Sequence, residues 1–408
     1  MPVVTFRRVV LGSLLLCGAA ARVAAQEPAA PTEETYAQQM AREQREHPTL
    51  KIGSAAPDFS LKGIDDKFHT LAEYGESPIL AIAFISNHCP ASQLYEGRIK
   101  QIVRDYADKG VKLIAIAPNG PMAVAPRELN YAEVDDSFDS MKIHAEYRQF
   151  NFPYLYEGDT QQVAHQYGPK VTPHIFIFDR ERKLRYEGRI DDNMRGNNIK
   201  SNDARNALDA LIAGRAVPVE HTPVFGCSTK WNSAIAGKQR EMKEWMAKPV
   251  TLETVSLDGL KKLRTNPTGK TLMINFWATW CGPCQTEYPE LLTTYLWYRS
   301  RDFEMVTVST DAPEAKATVQ KFLEQHHSGV RNFQFASDDV YALQEAFDKK
   351  WDSGVPFTIV LAPDGKVIYQ EMGEIRLLEL RRAILAHLPD GGYIGNAAYW
   401  AKSIGMTK

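Results

Sequence analysis

Two cysteines separated by two residues, Cys281 and Cys284, are the side chains of this sequence best suited to chemistry. They follow an apolar run and precede a helical pattern. In the first turn of a helix this spacing brings two sulfurs within bonding distance, and the unpaired N–H groups there favour a thiolate. The pattern therefore predicts nucleophilic attack by Cys281, at the exposed start of the turn, and resolution by the deeper Cys284.

Two other interpretations of this pair are weaker. Half of a zinc site would need a second pair of ligands, and the sequence has no other Cys-x-x-Cys and no matching histidine pair. A purely structural disulfide would close a loop too short to stabilise the fold by much.

Pro356 is the expected companion of the two sulfurs. A cis proline beside them would remove a backbone donor and leave the neighbouring backbone free to pair with an extended substrate. The alternative is an ordinary trans proline in a loop, since cis is the minority isomer for prolines in general.

Apolar runs, cysteines and prolines occur twice in this sequence, in the same order and at matched offsets. The apolar runs are residues 79–85 and 272–277. Cys89 and Cys281 each lie five residues after a phenylalanine, and Pro173 and Pro356 each open a later apolar run. Buried runs of this kind are typical of parallel strands. The repetition predicts an α/β protein with two tandem copies of one fold, each a central mixed sheet flanked by helices.

The first 25 residues have the features of an export signal. Arg7 and Arg8 precede an apolar run, residues 9–21, that is too short for a good membrane span, and small residues at 23–25 suit cleavage. The arginine pair is only a weak match to a twin-arginine signal. We expect Cys17 to be discarded with the signal and the mature protein to be periplasmic or extracellular, or membrane-tethered if the signal is not cleaved.

The chain of 408 residues divides into six predicted segments. These are a signal peptide (1–25), a polar linker (26–49), a first domain (50–231), a linker helix (232–249), a second domain (250–390) and an aromatic tail (391–408) that we expect to dock on the protein. The net charge of −2 does not suggest a nucleic-acid-binding face, and glycine-rich phosphate loops are absent from the sequence. We therefore expect no nucleic-acid partner and no cofactor.

Residues 250–390 resemble the thioredoxin superfamily, and specifically the exported thiol–disulfide oxidoreductases of the TlpA and ResA type. Residues 275–289 and the loop from Gly354 to Pro356 carry the resemblance. It implies a sheet of four or five strands and a site that includes Trp280 beside the cysteines. It also implies reduction of disulfides in partner proteins, such as apocytochromes c or copper-site proteins. With no cofactor motif in the chain, we expect a membrane redox protein as the electron donor.

The resemblance also points to Glu287. Cytosolic thioredoxins carry a buried aspartate, which aids proton transfer, where this chain has Asn275. Glu287 matches a glutamate that the exported subgroup places near its thiols, and a residue three positions after Cys284 shares its helix face. Glu287 is therefore a candidate proton acceptor or a tuner of the cysteine pKa, with a solvated helix glutamate as the alternative.

Residues 50–231 resemble the redoxin and peroxiredoxin-like branch of the superfamily, related to AhpC/TSA. The stretches that carry this resemblance are residues 56–61, 87–90, 152–156, 188–192 and 226–231. Cys89 occupies the attacking position, but Ser92 stands where a resolving cysteine would be. Ser86 suits a peroxiredoxin, whereas Ile82 replaces the proline of that family, so the peroxidase signature is partial.

Several roles for Cys89 remain open from the sequence. It is a single reactive thiol resolved by Cys227 or by the second domain, or it forms a stable disulfide with Cys227, or it is a relic in a domain kept for binding or scaffolding. Soft-metal binding with His88 and His174 is a further possibility, because thiolate and imidazole suit copper.

Three functional hypotheses follow. The first is an exported oxidoreductase that exchanges disulfides in partner proteins through Cys281 and Cys284, in the reducing direction that Gly282 and Pro283 between them suggest. The second is a thiol peroxidase at Cys89 with the second domain as its built-in reductant. The third is a metal- or partner-binding protein whose site the cysteine pair services.

Overall fold

The computed structural model describes residues 36–388, so the predicted signal peptide, Cys17 and the aromatic tail lie outside the described residues. The strands of the first half are β1 (Ser60–Gly63), β2 (Phe68–Thr70), β3 (Ile79–Phe84), β4 (Val111–Ala117), β5 (Tyr154–Tyr156), β6 (Val171–Thr172), β7 (His174–Phe178), β8 (Leu184–Gly188) and β9 (Cys227–Ser228). Its helices are α1 (Tyr36–Glu46), α2 (Pro90–Tyr106), α3 (Phe138–Arg148), α4 (Gln162–Tyr167) and α5 (Asp203–Ile212).

The second half is built in the same way. Helix α6 (Ile235–Met246) lies within the predicted linker helix. The strands that follow are β10 (Leu252–Val255), β11 (Thr271–Trp277), β12 (Phe303–Ser309), β13 (Arg331–Phe335), β14 (Phe357–Leu361) and β15 (Val367–Met372). The helices are α7 (Leu257–Arg264), α8 (Gly282–Tyr298), α9 (Lys316–Gln325), α10 (Val340–Phe347) and α11 (Leu377–His387).

Each half has a mixed sheet around one buried central strand. In the first sheet, with order β2-β1-β5-β4-β3-β7-β8, strand β3 pairs in parallel with β4 and antiparallel with β7. In the second, with order β10-β13-β12-β11-β14-β15, strand β11 pairs in parallel with β12 and antiparallel with β14. Every residue of β3 and β11 is buried. The prediction of two tandem α/β units with mixed sheets is confirmed.

The number of strands differs from the four or five that the resemblance implied. The two central sheets have seven and six strands, and β6 and β9 form a separate two-stranded sheet. The additional strands lie at one edge of each sheet: the hairpin β1–β2 beside β5, and β10 beside β13. They cover backbone groups that an open edge would leave unpaired, and five strands remain in each sheet without them.

The two halves meet through the interdomain loop, residues 118–137, which joins β4 to α3. Backbone carbonyls of this loop accept hydrogen bonds from the second half: the Tyr298 hydroxyl donates to Ala132 (2.7 Å) and the Arg301 guanidinium to Asn130 (2.8 Å). Val124 and Leu129 pack into the core around α8. The loop is therefore bound near the C-terminal end of α8, opposite the end that carries the cysteines.

The helices of residues 36–388 do not include a membrane span. None of them combines the length and the apolar character needed to cross a bilayer.

Candidate active sites: two cysteine centres

Cys281 and Cys284 form a disulfide at the N-terminus of α8, with an S–S distance of 2.04 Å. Cys281 is the N-cap residue, and the Cys284 backbone N–H donates to its Sγ at 3.2 Å. Cys281 is 5% exposed and Cys284 is 1% exposed. The more accessible sulfur is thus the one that the sequence predicts to attack, at a helix end that stabilises a thiolate.

The structure places Pro356 and Trp280 beside this pair. The Val355–Pro356 peptide bond is cis, and Cys281 Sγ lies 3.5 Å from the Val355 carbonyl oxygen. Trp280, next to Cys281, is 71% exposed, whereas Trp277 is fully buried. An exposed indole and an accessible backbone segment therefore flank the sulfur that would meet a substrate.

Glu287 is buried rather than solvated. Its carboxylate accepts hydrogen bonds from the Ile375 backbone N–H (3.0 Å) and from the Asn275 side-chain amide (3.2 Å). Burial, which disfavours the charged form, raises the pKa of Glu287 to about 7 despite these two donors. A carboxyl group on the same helix face as Cys284 that titrates near neutral pH is suited to exchange a proton with it.

Cys89 occupies the matching position in the first half. It is the N-cap residue of α2, and the Ser92 backbone N–H donates to its Sγ at 3.4 Å. Its thiol donates to the carbonyl oxygen of Thr172 at 3.0 Å, and the Thr172–Pro173 bond is cis. Cys89 thus has the same backbone surroundings as Cys281: an N–H three residues later and the carbonyl that precedes a cis proline.

Cys227 supplies the second thiol of this centre from strand β9. Strand β9 pairs antiparallel with β6, with Cys227 opposite Thr172. Cys227 and Cys89 lie close enough for each thiol to shift the pKa of the other, and neither is in a disulfide. Of the roles left open for Cys89, the structure therefore supports pairing with Cys227 in space, without a disulfide in this state.

The surroundings of Cys89 favour its thiolate. Burial alone would raise its pKa, but the hydrogen bond from Cys227, the charge of His88 and the contacts with Thr172 and Ser92 lower the pKa of Cys89 to about 5. The hydrogen bond with Cys89, together with burial, raises the pKa of Cys227 well above its usual value. The pair thus loses one proton readily and the second with difficulty.

His88 is held by a carboxylate from the interdomain loop. Its Nδ1 lies 2.7 Å from Asp136 Oδ2, and its backbone N–H donates to the same carboxylate at 3.0 Å. Burial opposes protonation, but Asp136 overcomes it and raises the pKa of His88. No local pattern could have identified Asp136, because it lies 48 residues beyond His88 in the sequence.

The other residues singled out in the first half have structural partners. The Ser86 hydroxyl bonds that of Thr172 at 3.0 Å, and Ser92 Oγ accepts the Ser86 backbone N–H. Both ring nitrogens of His174 are engaged, by Glu187 and by the Lys170 backbone N–H. Within the described chain no cluster of three or more metal-ligating side chains occurs. The geometry therefore does not support the copper alternative.

Comparison with known proteins places both halves in one superfamily. The Redoxin family model matches residues 246–381, and the AhpC/TSA family model matches residues 52–187. The chain is 31% identical over 140 residues to the thiol-disulfide oxidoreductase ResA of Bacillus subtilis, a match that covers 34% of this chain and 73% of that protein. It is 36% identical over 81 residues to ResA of Oceanobacillus iheyensis, covering 20% and 38% of the two chains.

The chain therefore belongs to the thioredoxin superfamily, and within it to the ResA family of thiol–disulfide oxidoreductases. Among solved structures, a hypothetical protein from Sinorhizobium meliloti is 34% identical, with 45% of this chain and 97% of that chain covered and a TM-score of 0.41.

Proposed function

We propose that this protein is an exported thiol–disulfide oxidoreductase that reduces disulfides in partner proteins through Cys281 and Cys284. The observation that carries the proposal is the geometry at the start of α8, where the attacking sulfur lies beside Val355, Pro356 and the exposed Trp280.

The backbone before Pro356 is the proposed docking edge for the substrate. Val355 is partly exposed, and within residues 36–388 no strand pairs with it. Gly354 before it is exposed, and its backbone groups bind the Asp352 carboxylate and the Trp351 indole. An extended polypeptide could add to this edge as an antiparallel strand, with its disulfide held against Cys281 and its side chains against Trp280.

The reaction proceeds by two exchanges. The Cys281 thiolate attacks one sulfur of the substrate disulfide, forms a mixed disulfide and releases the other sulfur as a thiolate. Cys284 then gives its proton to Glu287 and attacks Cys281 Sγ, which releases the second substrate sulfur. The substrate gains two electrons and the protein is left with the Cys281–Cys284 disulfide. A separate donor, which we propose is a membrane redox protein, returns two electrons for the next cycle.

The proposal of export is supported by the charge and apolar pattern of the first 25 residues. The test is to express the full chain in a bacterium with an intact cell envelope and to determine the N-terminus of the mature protein. Cleavage near Ala25 and recovery from the periplasm are expected. An intact N-terminus in the cytoplasmic fraction would contradict export without affecting the chemistry.

The activity is tested with insulin as a model disulfide substrate and dithiothreitol as the electron source. The full chain should accelerate insulin reduction, and Cys281→Ser should abolish the acceleration. Cys284→Ser should instead retain a mixed disulfide with the substrate that dithiothreitol releases. Equal activity of the wild type and Cys281→Ser would overturn the proposal.

The position of Cys281 on α8 argues against the second half as a built-in reductant for Cys89. Helix α8 has 17 residues, which places Cys281 about 25 Å from the end of the helix that binds the first half. Cys89 lies near that interface, because its neighbour His88 is bound to Asp136 of the interdomain loop. Direct exchange between the two centres of one chain would require the two halves to separate.

A further inference from the structure

In the first half, strand β9 occupies the backbone edge before the cis proline, which is the edge that the second half leaves unpaired. Strand β9 pairs antiparallel with β6 directly before Pro173, and the register sets Cys227 opposite Thr172. A segment of the chain itself thus lies where an extended substrate would lie on the second half, and it presents a cysteine to Cys89.

Gly226 shows that this close approach is built into the chain. A Cβ atom at this position would lie 2.1 Å from the carbonyl oxygen of Thr172, which belongs to the backbone and cannot move aside. Only glycine lets the segment come close enough for Cys227 to reach Cys89.

Both sulfurs lie at the N-terminus of α2, a helix of 17 residues. The Ser92 N–H donates to Cys89, and the neighbouring Ala91 N–H acts on Cys227 by opposing the rise in its pKa. The position that would hold a resolving cysteine on the helix is Ser92, and Cys227 replaces it from a strand. The first half has therefore kept two thiols at one helix N-terminus although it lacks the Cys-x-x-Cys spacing.

We propose that Cys89 and Cys227 form a second redox-active dithiol of this protein, which exchanges with small disulfides and closes to an internal disulfide independently of Cys281 and Cys284.

The different exposure of the two thiols to solvent determines which class of substrate can react with them. Cys89 is fully buried, while Cys227 is partly exposed, so an incoming reactant meets Cys227 first. Because β9 already occupies the edge at Thr172, an extended peptide has no strand to pair with there. A low-molecular-weight disulfide needs no such edge.

Thiol–disulfide exchange between the Cys89–Cys227 pair and a small thiol or disulfide conserves electrons in both directions. In reduction, an external thiolate attacks Sγ of Cys227, and Cys89 leaves as a thiolate; a second external thiolate then removes the first as a small disulfide and frees Cys227. In oxidation, Cys227 passes its proton to Cys89 and attacks the small disulfide, which releases one small thiolate; Cys89 then loses the proton, attacks Sγ of Cys227 and releases the second, so the dithiol loses two electrons and the small disulfide becomes two thiols. Cys89 is the better leaving group, since the Ser92 N–H and the charge of His88 stabilise its thiolate.

The test uses the full chain with Cys17, Cys281 and Cys284 changed to serine, which leaves only Cys89 and Cys227. The probe is oxidised glutathione, and the readouts are the intact mass and the cysteine-containing peptides. The protein should lose two hydrogen atoms, retain no glutathione and yield a Cys89–Cys227 cross-linked peptide. Glutathione left on Cys227 beside a free Cys89 would overturn the proposal, and so would two thiols that stay reduced.

Two further outcomes define the roles of the sulfurs. Adding Cys89→Ser should leave one glutathione attached to Cys227, whereas adding Cys227→Ser should leave Cys89 unmodified. Cross-linking by hydrogen peroxide but not by oxidised glutathione would contradict the substrate class proposed.

Gly226→Ala provides a test that leaves both thiols in place. The added Cβ should push β9 off β6, and cross-linking by oxidised glutathione should be lost. Gly214→Ala is the matched control, because Gly214 also has a positive φ (+64°) but no atom within 4 Å of the added Cβ, so it reports backbone strain without the clash. Circular dichroism of both variants ensures that a folded protein is compared, and unchanged cross-linking in folded Gly226→Ala would contradict the assigned geometry.

Discussion

At the Cys281–Cys284 centre, spacing along the chain sets the geometry of the two sulfurs, and burial sets the protonation of Glu287 beside them. The two-residue spacing between Cys281 and Cys284 was enough to predict that they form a redox-active pair. The sequence could place Glu287 on the face of Cys284 but could not decide whether it is buried, because that depends on Ile375 and Asn275 from other elements. For the first half, the sequence raised Cys227 only as one possible partner of Cys89, since 138 residues separate the two and strand pairing alone brings them together.

Glu287→Gln should slow insulin reduction at neutral pH by roughly 10- to 100-fold, because the glutamine cannot accept the Cys284 proton. The rate of the wild type should rise with pH through about 7, the pKa of Glu287, as the carboxylate becomes available. The variant should lack this inflection. A pH profile of the variant that is identical to that of the wild type would contradict a role in proton transfer.

The same substitution should change the pH dependence of stability in the opposite sense. A folded pKa of about 7 lies above the ordinary value of 4.5, so the wild type is favoured by protonation and loses stability as pH rises from 4.5 through 7. Glu287→Gln should match the wild type at pH 4 and exceed it by about 2 kcal/mol at pH 8. Urea unfolding at the two pH values measures the difference.

Trp280→Ala should weaken the use of a protein substrate without changing the fold. A loss of the exposed indole should raise KM for insulin by about 5-fold or more, as for other aromatic residues at contact surfaces. The unfolding free energy should change by less than about 0.5 kcal/mol. Tyr341→Ala is the matched control, since Tyr341 is 76% exposed and lies on α10. An equal rise in KM for both variants would argue against a specific contact.

Among the elements, the two buried central strands were the most predictable, because a short uninterrupted apolar run is typical of a strand that is covered on both faces. The edge strands were not predicted, since β1, β2 and β10 are short and carry mixed polar and apolar residues. Strand β9 has only two residues and gains its role from β6, so no pattern within it could identify it.

The N-terminus of α8 sets the redox properties of the Cys281–Cys284 pair. The Cys284 N–H and the helix dipole stabilise a Cys281 thiolate, and we expect this stabilisation to be no larger than that found in a reductant. Titration of the full chain against glutathione and dithiothreitol buffers should give a potential of about −250 mV or lower. A value near about −120 mV would identify a dithiol oxidase and reverse the proposed direction of electron flow.

At the scale of the whole molecule, the two cysteine centres are held apart by the way the halves join. The contacts between the halves include the hydrogen bonds from Tyr298 and Arg301 to the interdomain loop, the packing of Val124 and Leu129 around α8, and Arg382 stacked over the ring of Tyr147 on α3. Nothing in the sequence could have predicted this arrangement, because the contacts depend on the path of a 20-residue loop whose only regular structure is two short 3-10 helices, Pro121–Ala123 and Pro126–Leu129.

Tyr298→Phe should weaken this joint while leaving each core intact. The lost hydroxyl leaves the Ala132 carbonyl without its donor, which should cost about 1–2 kcal/mol in urea unfolding. Tyr341→Phe, at an exposed position, should have no effect. If both variants unfold like the wild type, the hydrogen bond contributes nothing to the stability of the assembled chain.

The interface between the two halves also determines which substitutions the protein can accept there during evolution. Tyr298 and Arg301 bind carbonyl oxygens of the interdomain loop, and every amino acid offers the same carbonyl. Substitutions at Asn130 and Ala132 that keep the backbone path should therefore preserve these two hydrogen bonds, whereas few residues can replace the donors. Tolerance at these two hydrogen bonds should therefore be higher at the half-buried acceptor Asn130 than at the donors Tyr298 and Arg301, whereas Ala132, which is 1% exposed, should accept only small residues.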